Sequence, residues 1–149
     1  MKERFLSTAD HQLSANDFRS RLIAPSVRVL VVDDNETIRR MLGKLLGALG
    51  YRAITAENGL QAINFLSSSP RSIEILITDL EVPELDGHAI IREARRIRPD
   101  LGVILMSANP EGSAPEHAIL LDKPFTLERL AECLNLVLGQ YHGKRRLVA

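Results

Sequence analysis

The chain has 149 residues, and its 19 Lys and Arg against 19 Asp and Glu give a formal net charge of zero. That length suits one domain, and the balanced charge gives no general attraction to nucleic acid or to an anionic membrane. A single cysteine excludes an internal disulfide framework and fits a reducing compartment. No apolar run reaches the ~18 residues of a spanning helix, and the first 25 residues lack the apolar stretch of a signal peptide. The expectation is a cytoplasmic protein with no membrane and no direct nucleic-acid partner.

Residues 1–25 show no clear strand and end at Pro25. Leu13, Phe18 and Leu22 make a weak helical face behind Ser14-Ala15-Asn16-Asp17, a candidate capping box. This segment reads as an N-terminal arm, flexible or a docking helix, ahead of a domain over 26–140 and a short basic tail over 141–149.

Val27 to Val32 is an apolar run that ends in Asp33-Asp34. Runs of this kind read as strands buried on both faces. A helix follows, capped by Asp34 or Asn35, with Ile38, Met41, Leu42, Leu45, Leu46 and Leu49 on one face and Gly50 as its stop. Tyr51 to Ala56 is a second strand. Gly59 to Ser67 is a short helix with Leu60, Ile63 and Leu66 inward, broken by Ser68-Ser69-Pro70. Ile73 to Thr78 is a third strand that ends in Asp79. Pro83 and Gly87 bracket a loop, and a third helix runs to about Arg98 with Ile90, Ala94 and Ile97 inward. Its Arg92, Arg95, Arg96 and Arg98 read as a solvated basic face. Gly102 to Met106 is a fourth strand that ends at Ser107, and Ile119 to Leu121 is a fifth before Asp122-Lys123-Pro124. The last helix begins near Thr126, with Leu127, Leu130, Ala131, Leu134, Val137 and Leu138 inward and Cys133 as a packing residue.

Strands alternating with helices predict a parallel sheet covered on both faces. Five strands suggest a flavodoxin-like doubly wound sheet in the order 2-1-3-4-5, with the ligand-binding corner between the first and third strands. Asp33, Asp34 and Asp79 then share that corner. Two unit charges ~4 Å apart repel by roughly 4 kcal/mol at an effective dielectric near 20. Such a cluster calls for a cation or a raised pKa, and hard oxygen ligands at an open site suit Mg²⁺. Lys123 can add a further positive charge, and Ser107 a hydroxyl. A lone Asp-Asp is usually a turn or a cap. Asp-Asp, Asp, Ser and Lys-Pro closing successive core strands around one pocket are not explained that way.

Val29-Leu30-Val31-Val32-Asp33-Asp34-Asn35, Thr78-Asp79-Leu80-Glu81-Val82-Pro83-Glu84-Leu85-Asp86-Gly87, Met106-Ser107-Ala108 and Asp122-Lys123-Pro124-Phe125 resemble the receiver domain of bacterial two-component response regulators. The similarity runs from about Val27 to Leu138. It implies that Asp79 accepts a phosphoryl group from a sensor histidine kinase or a histidine phosphotransfer protein. It also implies that Asp33, Asp34, Asp79 and the backbone carbonyl of Glu81 hold Mg²⁺, and that Ser107 and Lys123 bind the phosphoryl oxygens.

Two features depart from the family. The segment from Ala108 to Ala118 is short for a parallel crossover, and Pro110, Gly112 and Pro115 oppose a regular helix there. The family's fourth helix is therefore expected to be missing or much shortened, and the loop is expected to change order on phosphorylation. Leu120 stands where the family commonly has a signalling aromatic. The expected function is a phosphorylation-dependent switch with an unknown downstream protein partner, and no enzyme beyond its own Mg-dependent phosphoryl transfer and dephosphorylation. The alternatives are a phosphorylation-independent interaction scaffold or a phosphate sink. The chain stops after the last helix, so a stand-alone receiver is expected, although a piece of a hybrid kinase fits the same residues.

Overall fold

The computed structural model describes residues 27–109, 115 and 117–148, with side chains through residue 139. The N-terminal arm and most of the Ala108–Ala118 loop lie outside the described residues. Five strands, β1 (Arg28–Val32), β2 (Arg52–Ala56), β3 (Ile75–Asp79), β4 (Gly102–Ser107) and β5 (Ala118–Asp122), form one sheet. All pair in parallel, in the expected order β2-β1-β3-β4-β5. The described helices are α1 (Glu36–Ala48), α2 (Gly59–Ser68), α3 (Gly87–Ile97) and α4 (Leu127–Val148). None is described between β4 and β5. α4 runs unbroken through the stretch from 141 that reads as a basic tail in the sequence.

The side-chain period of two splits the central strands between two cores. Leu30, Val32, Leu76, Val103 and Leu105 pack with Leu66 of α2 and Ile90, Ile91 and Ala94 of α3. Val29, Val31, Ile75, Ile77, Ile104 and Met106 pack with Leu42 and Leu46 of α1 and Leu130, Leu134 and Val137 of α4. Cys133 is buried in that second core, as a packing residue should be, and burial pushes its thiol pKa up. β1 and β3 are therefore apolar on both faces, and their strand ends are held rigidly.

Local chemistry sets the helix boundaries. Asn35 caps α1, its Oδ1 accepting from the N–H groups of Thr37 at 2.9 Å and Ile38 at 3.2 Å. Gly50, at φ 91°, takes the left-handed turn after α1. Asn58 caps α2 and Asp86 caps α3.

The periodicity errs at Met41 and Leu127, which are 37% and 38% exposed, and more strongly at Leu60, and composition misleads at Arg98. Leu60 is not inward: it is 57% exposed, and Gly59, Ala62 and Leu66 form the buried stripe of α2. A Cβ on Gly59 would stand 2.9 Å from Ile90 and Leu85, so close packing against α3 sets the phase of this helix. Arg98 does not belong to a solvated basic face. Its guanidinium donates to the carbonyls of Ile73 and Pro70 and pairs with Asp100, with the side chain only 11% exposed. A fork of five donors at a helix end reaches the carbonyls leading into β3 and satisfies them.

Gly87 has a steric role beside Asp79. A Cβ there would lie 2.8 Å from the Asp79 carbonyl oxygen and 2.9 Å from Leu80 Cα, both backbone atoms that cannot swing aside. Gly87→Ala should lower stability by about 1–3 kcal/mol through overpacking, read as a lower urea midpoint at an unchanged slope. An unaltered midpoint would mean that the loop after β3 yields freely.

Candidate functional site

Two neighbouring parallel strands, β1 and β3, deliver the acidic corner. Val32 pairs with Thr78, so Asp33 and Asp79 leave neighbouring strands at the same level. Asp79 in turn pairs with Met106, and Ser107 with Asp122, which places Ser107 and Lys123 along the same sheet edge. The backbone N–H of Lys123 donates to the Ser107 carbonyl at 2.8 Å, and the Lys123–Pro124 bond is cis. Beyond β3, Leu80 N–H donates to Met106 O at 2.9 Å and Gly87 N–H to Leu80 O at 2.8 Å, which anchors the loop at both ends.

Asp33 and Asp79 are buried, while Asp34 is exposed. One carboxylate oxygen from each lies within 4.8 Å of the others. Lys123 Nζ stands 3.0 Å from Asp79 Oδ2 and 3.5 Å from Asp33 Oδ2. Asp33 Oδ1 accepts the Asn35 N–H at 2.9 Å, and Asp79 Oδ1 lies 3.4 Å from the Glu81 N–H. The sequence-predicted Asp33, Asp34, Asp79 and Lys123 thus converge. Glu81 follows on an exposed loop residue, its amide turned to Asp79. Ser107 is at the predicted strand end, but its hydroxyl is engaged elsewhere: it donates to Asn109 O at 2.9 Å and accepts from Asn109 N–H at 3.1 Å.

Sequence reasoning missed Arg39. Its Nη1 donates to the Asp33 carbonyl at 2.8 Å and ties the acidic turn to α1. The legible signal was Asn35: once it caps the helix, the residue four positions on lies one turn above the cap and can reach back.

Burial raises the Asp33 pKa above its ordinary value. The Asn35 N–H and Lys123 pull it down, and the charge on Asp79 pushes it further up. Partial burial disfavours the Lys123 ammonium, but Asp79 and then Asp33 outweigh it and hold its pKa above the usual lysine range. One ammonium faces carboxylates that outnumber it. A donor set of clustered hard oxygens with surplus negative charge fits a small divalent cation.

The response regulator receiver domain family matches residues 29–135 of the chain. The chain belongs to that family. CpdR, a response regulator receiver protein of Brucella abortus (strain 2308), is 37% identical over 109 residues, 69% of this chain and 89% of CpdR. The sensor histidine kinase RcsC of Salmonella typhi is 32% identical over 135 residues, which are 87% of this chain but 13% of that kinase. The chain therefore spans a small part of some relatives and most of others. The crystal structure of a response regulator receiver domain protein from Clostridium thermocellum superposes with a TM-score of 0.67 at 27% identity, over 81% of this chain and 98% of that one. The chain is thus a receiver domain of two-component signal transduction. Among the described residues, no helix is long and apolar enough to cross a membrane.

The raised pKa of Asp33 carries a sign. The folded receiver holds that proton more tightly than the unfolded chain, so stability falls as pH rises through the folded-state value, and the loss is complete above it. Asp33→Asn removes the penalty. In the presence of a chelator at neutral pH, its urea midpoint should exceed that of the wild type, and the gap should close below the ordinary aspartate range. A lower midpoint at neutral pH would mean that the Lys123–Asp33 attraction outweighs burial.

Proposed function

We propose that this receiver is a phosphorylation-dependent switch whose Asp79 takes a phosphoryl group from a phosphohistidine on a sensor histidine kinase or histidine phosphotransfer protein. The observation that carries this reading is the clustering of the Asp33, Asp34 and Asp79 carboxylates, with the Lys123 ammonium paired to Asp33 and Asp79. Asp79 is a buried carboxylate at a strand end, and an ionised carboxylate attacks without a general base. One Asp79 oxygen bonds to phosphorus as the phosphorus–nitrogen bond of the phosphohistidine breaks, and the bonding pair stays on the imidazole. Such transfer depends on positioning and charge neutralisation. Lys123, already 3.0 Å from Asp79, is in place to meet one phosphoryl oxygen.

Asp33, Asp34, Asp79 and the Glu81 carbonyl would hold Mg²⁺, which would offset the charge developing on the transferred oxygens. The fit rests on the clustered oxygen donors and on the surplus of carboxylate over cation. Ser107 supplies the difference between states. Its hydroxyl faces Asn109 in this structure, and a phosphoryl group on Asp79 offers it a stronger, charged acceptor. Leaving Asn109 would transmit the change to the segment after β4. A contact made in only one state is what shifts a two-state equilibrium.

Leu120 supports a second reading, that of a phosphorylation-independent interaction scaffold or a phosphate sink. It is half-buried and packed against the core, with no aromatic ring there to report the site to the surface. Hydrogen exchange with and without beryllofluoride separates the two readings: the switch requires changed protection from Ala108 to Leu121, and a scaffold or a sink does not.

Incubation with Mg²⁺ and acetyl phosphate should raise the intact mass by one phosphoryl group, and Asp79→Asn should abolish the gain. Retention of the gain in that variant would place the acceptor elsewhere. Mg²⁺ should also raise the free energy of unfolding, by about 2.7 kcal/mol at a hundredfold excess over Kd, and Asp34→Ala should remove most of that increment. An undiminished increment would refute the metal assignment.

A further inference from the structure

The sheet has two open edges, and they are finished differently. At β5, the Leu120 carbonyl is covered from α4 by Arg129 Nη2 at 3.5 Å and Cys133 Sγ at 3.9 Å. At β2, the Arg52 N–H donates inward to Val27 O at 2.9 Å, and the Ala56 carbonyl accepts inward from Asp33 N–H at 3.2 Å. Alternate residues of a strand point their N–H and C=O the same way. Arg52, Ile54 and Ala56 therefore face β1, and Ala53 and Thr55 turn their N–H and C=O to the open side. Among the described residues, no partner takes those groups.

A concavity of about 540 Å³ lies beside this edge, and both Ala53 and Thr55 line it. Its other wall is α1, where Gly43 and Gly47 form a floor one turn apart. A Cβ at either would meet nothing within 4 Å, so the space is free. Its charge is one-sided. Arg39, Arg40 and Arg52 line it against Glu36 alone, and Glu36 is spent on Arg40 at 3.0 Å. A charged residue on an edge strand commonly serves to repel other strands. Here the arginines would repel a basic strand, and the groove leaves room for an acidic one.

We propose that the open edge of β2, with the glycine-floored groove beside it, docks an acidic, extended peptide segment of a partner protein as a sixth strand. Main-chain hydrogen bonds to Ala53 and Thr55 supply the register, and the arginines select acidic side chains. Charge favours a partner over the chain's own first residues, in which Lys2, Arg4, Arg19 and Arg21 outnumber Glu3, Asp10 and Asp17. The proposal does not require phosphoryl transfer at Asp79, although Arg39 of the groove also donates to the Asp33 carbonyl.

The test uses the full chain and a fluorescein-labelled peptide of alternating Thr and Glu, about eight residues long, enough to cover an average strand. The peptide should bind saturably, and a Thr-Lys alternation should not. Amide exchange should slow at Ala53 and Thr55 and stay unchanged at Ile54, a one-in-two pattern that bulk electrostatic attraction does not produce. Arg52→Glu should weaken binding about tenfold, equivalent to 1.4 kcal/mol. Thr55→Pro should abolish it by removing one edge donor. If Thr55→Pro fails to fold, Arg52→Glu and the exchange pattern still decide. Four results would overturn the proposal: no binding at millimolar peptide, equal binding of the lysine peptide, binding without slowed exchange at Ala53 and Thr55, or slow exchange at both before any peptide is added. The third would indicate a plain anion site, and the last an edge already covered by the chain itself.

Discussion

Lys123 holds together a corner that would otherwise repel itself. Asp33 and Asp79 are both buried, and each ends a strand that is apolar on both faces. Two carboxylates in such a place are a liability, because water cannot screen them well. The Lys123 ammonium lies between them, 3.0 Å from one and 3.5 Å from the other. Its raised pKa and that of Asp33 are two sides of this arrangement: the lysine gains from two neighbouring anions, and Asp33 loses hydration that one shared cation does not fully replace.

The arrangement depends on distant parts of the chain. Lys123 follows β5, ninety positions beyond Asp33, and reaches the corner because its own N–H is bonded to the Ser107 carbonyl. β5 is held in turn by α4, whose Leu130, Leu134 and Val137 fill the core under β4. The loop after Asp79 closes tightly only because Gly87 lets α3 start against the Asp79 carbonyl. Arg39 fixes the acidic turn from the α1 side. A charge cluster with an uneven balance is thus mounted on a packed frame. Ser107 is the one member of the corner, among the described residues, whose side chain is hydrogen-bonded away from the carboxylates.

The sequence alone determined the strands, their order and the convergence of Asp33, Asp34, Asp79 and Lys123. Strands buried on both faces leave nearly continuous apolar runs, and each carboxylate or lysine that ends such a run announces itself against them. Where periodicity was the only guide, it failed in physically understandable ways. The apolar face of α2 includes Leu60 by spacing, but contact with Ile90 across Gly59 decides the phase, and Leu60 is left in solvent. Arg98 is one of four arginines by composition, and only the nearness of the Ile73 and Pro70 carbonyls draws it inward. The partners of Arg39, the turn made by Ser107 with Asn109, and the difference between the two sheet edges were set by tertiary structure alone. A spacing states which way a side chain or an amide points, and what stands opposite it is fixed only when distant segments pack.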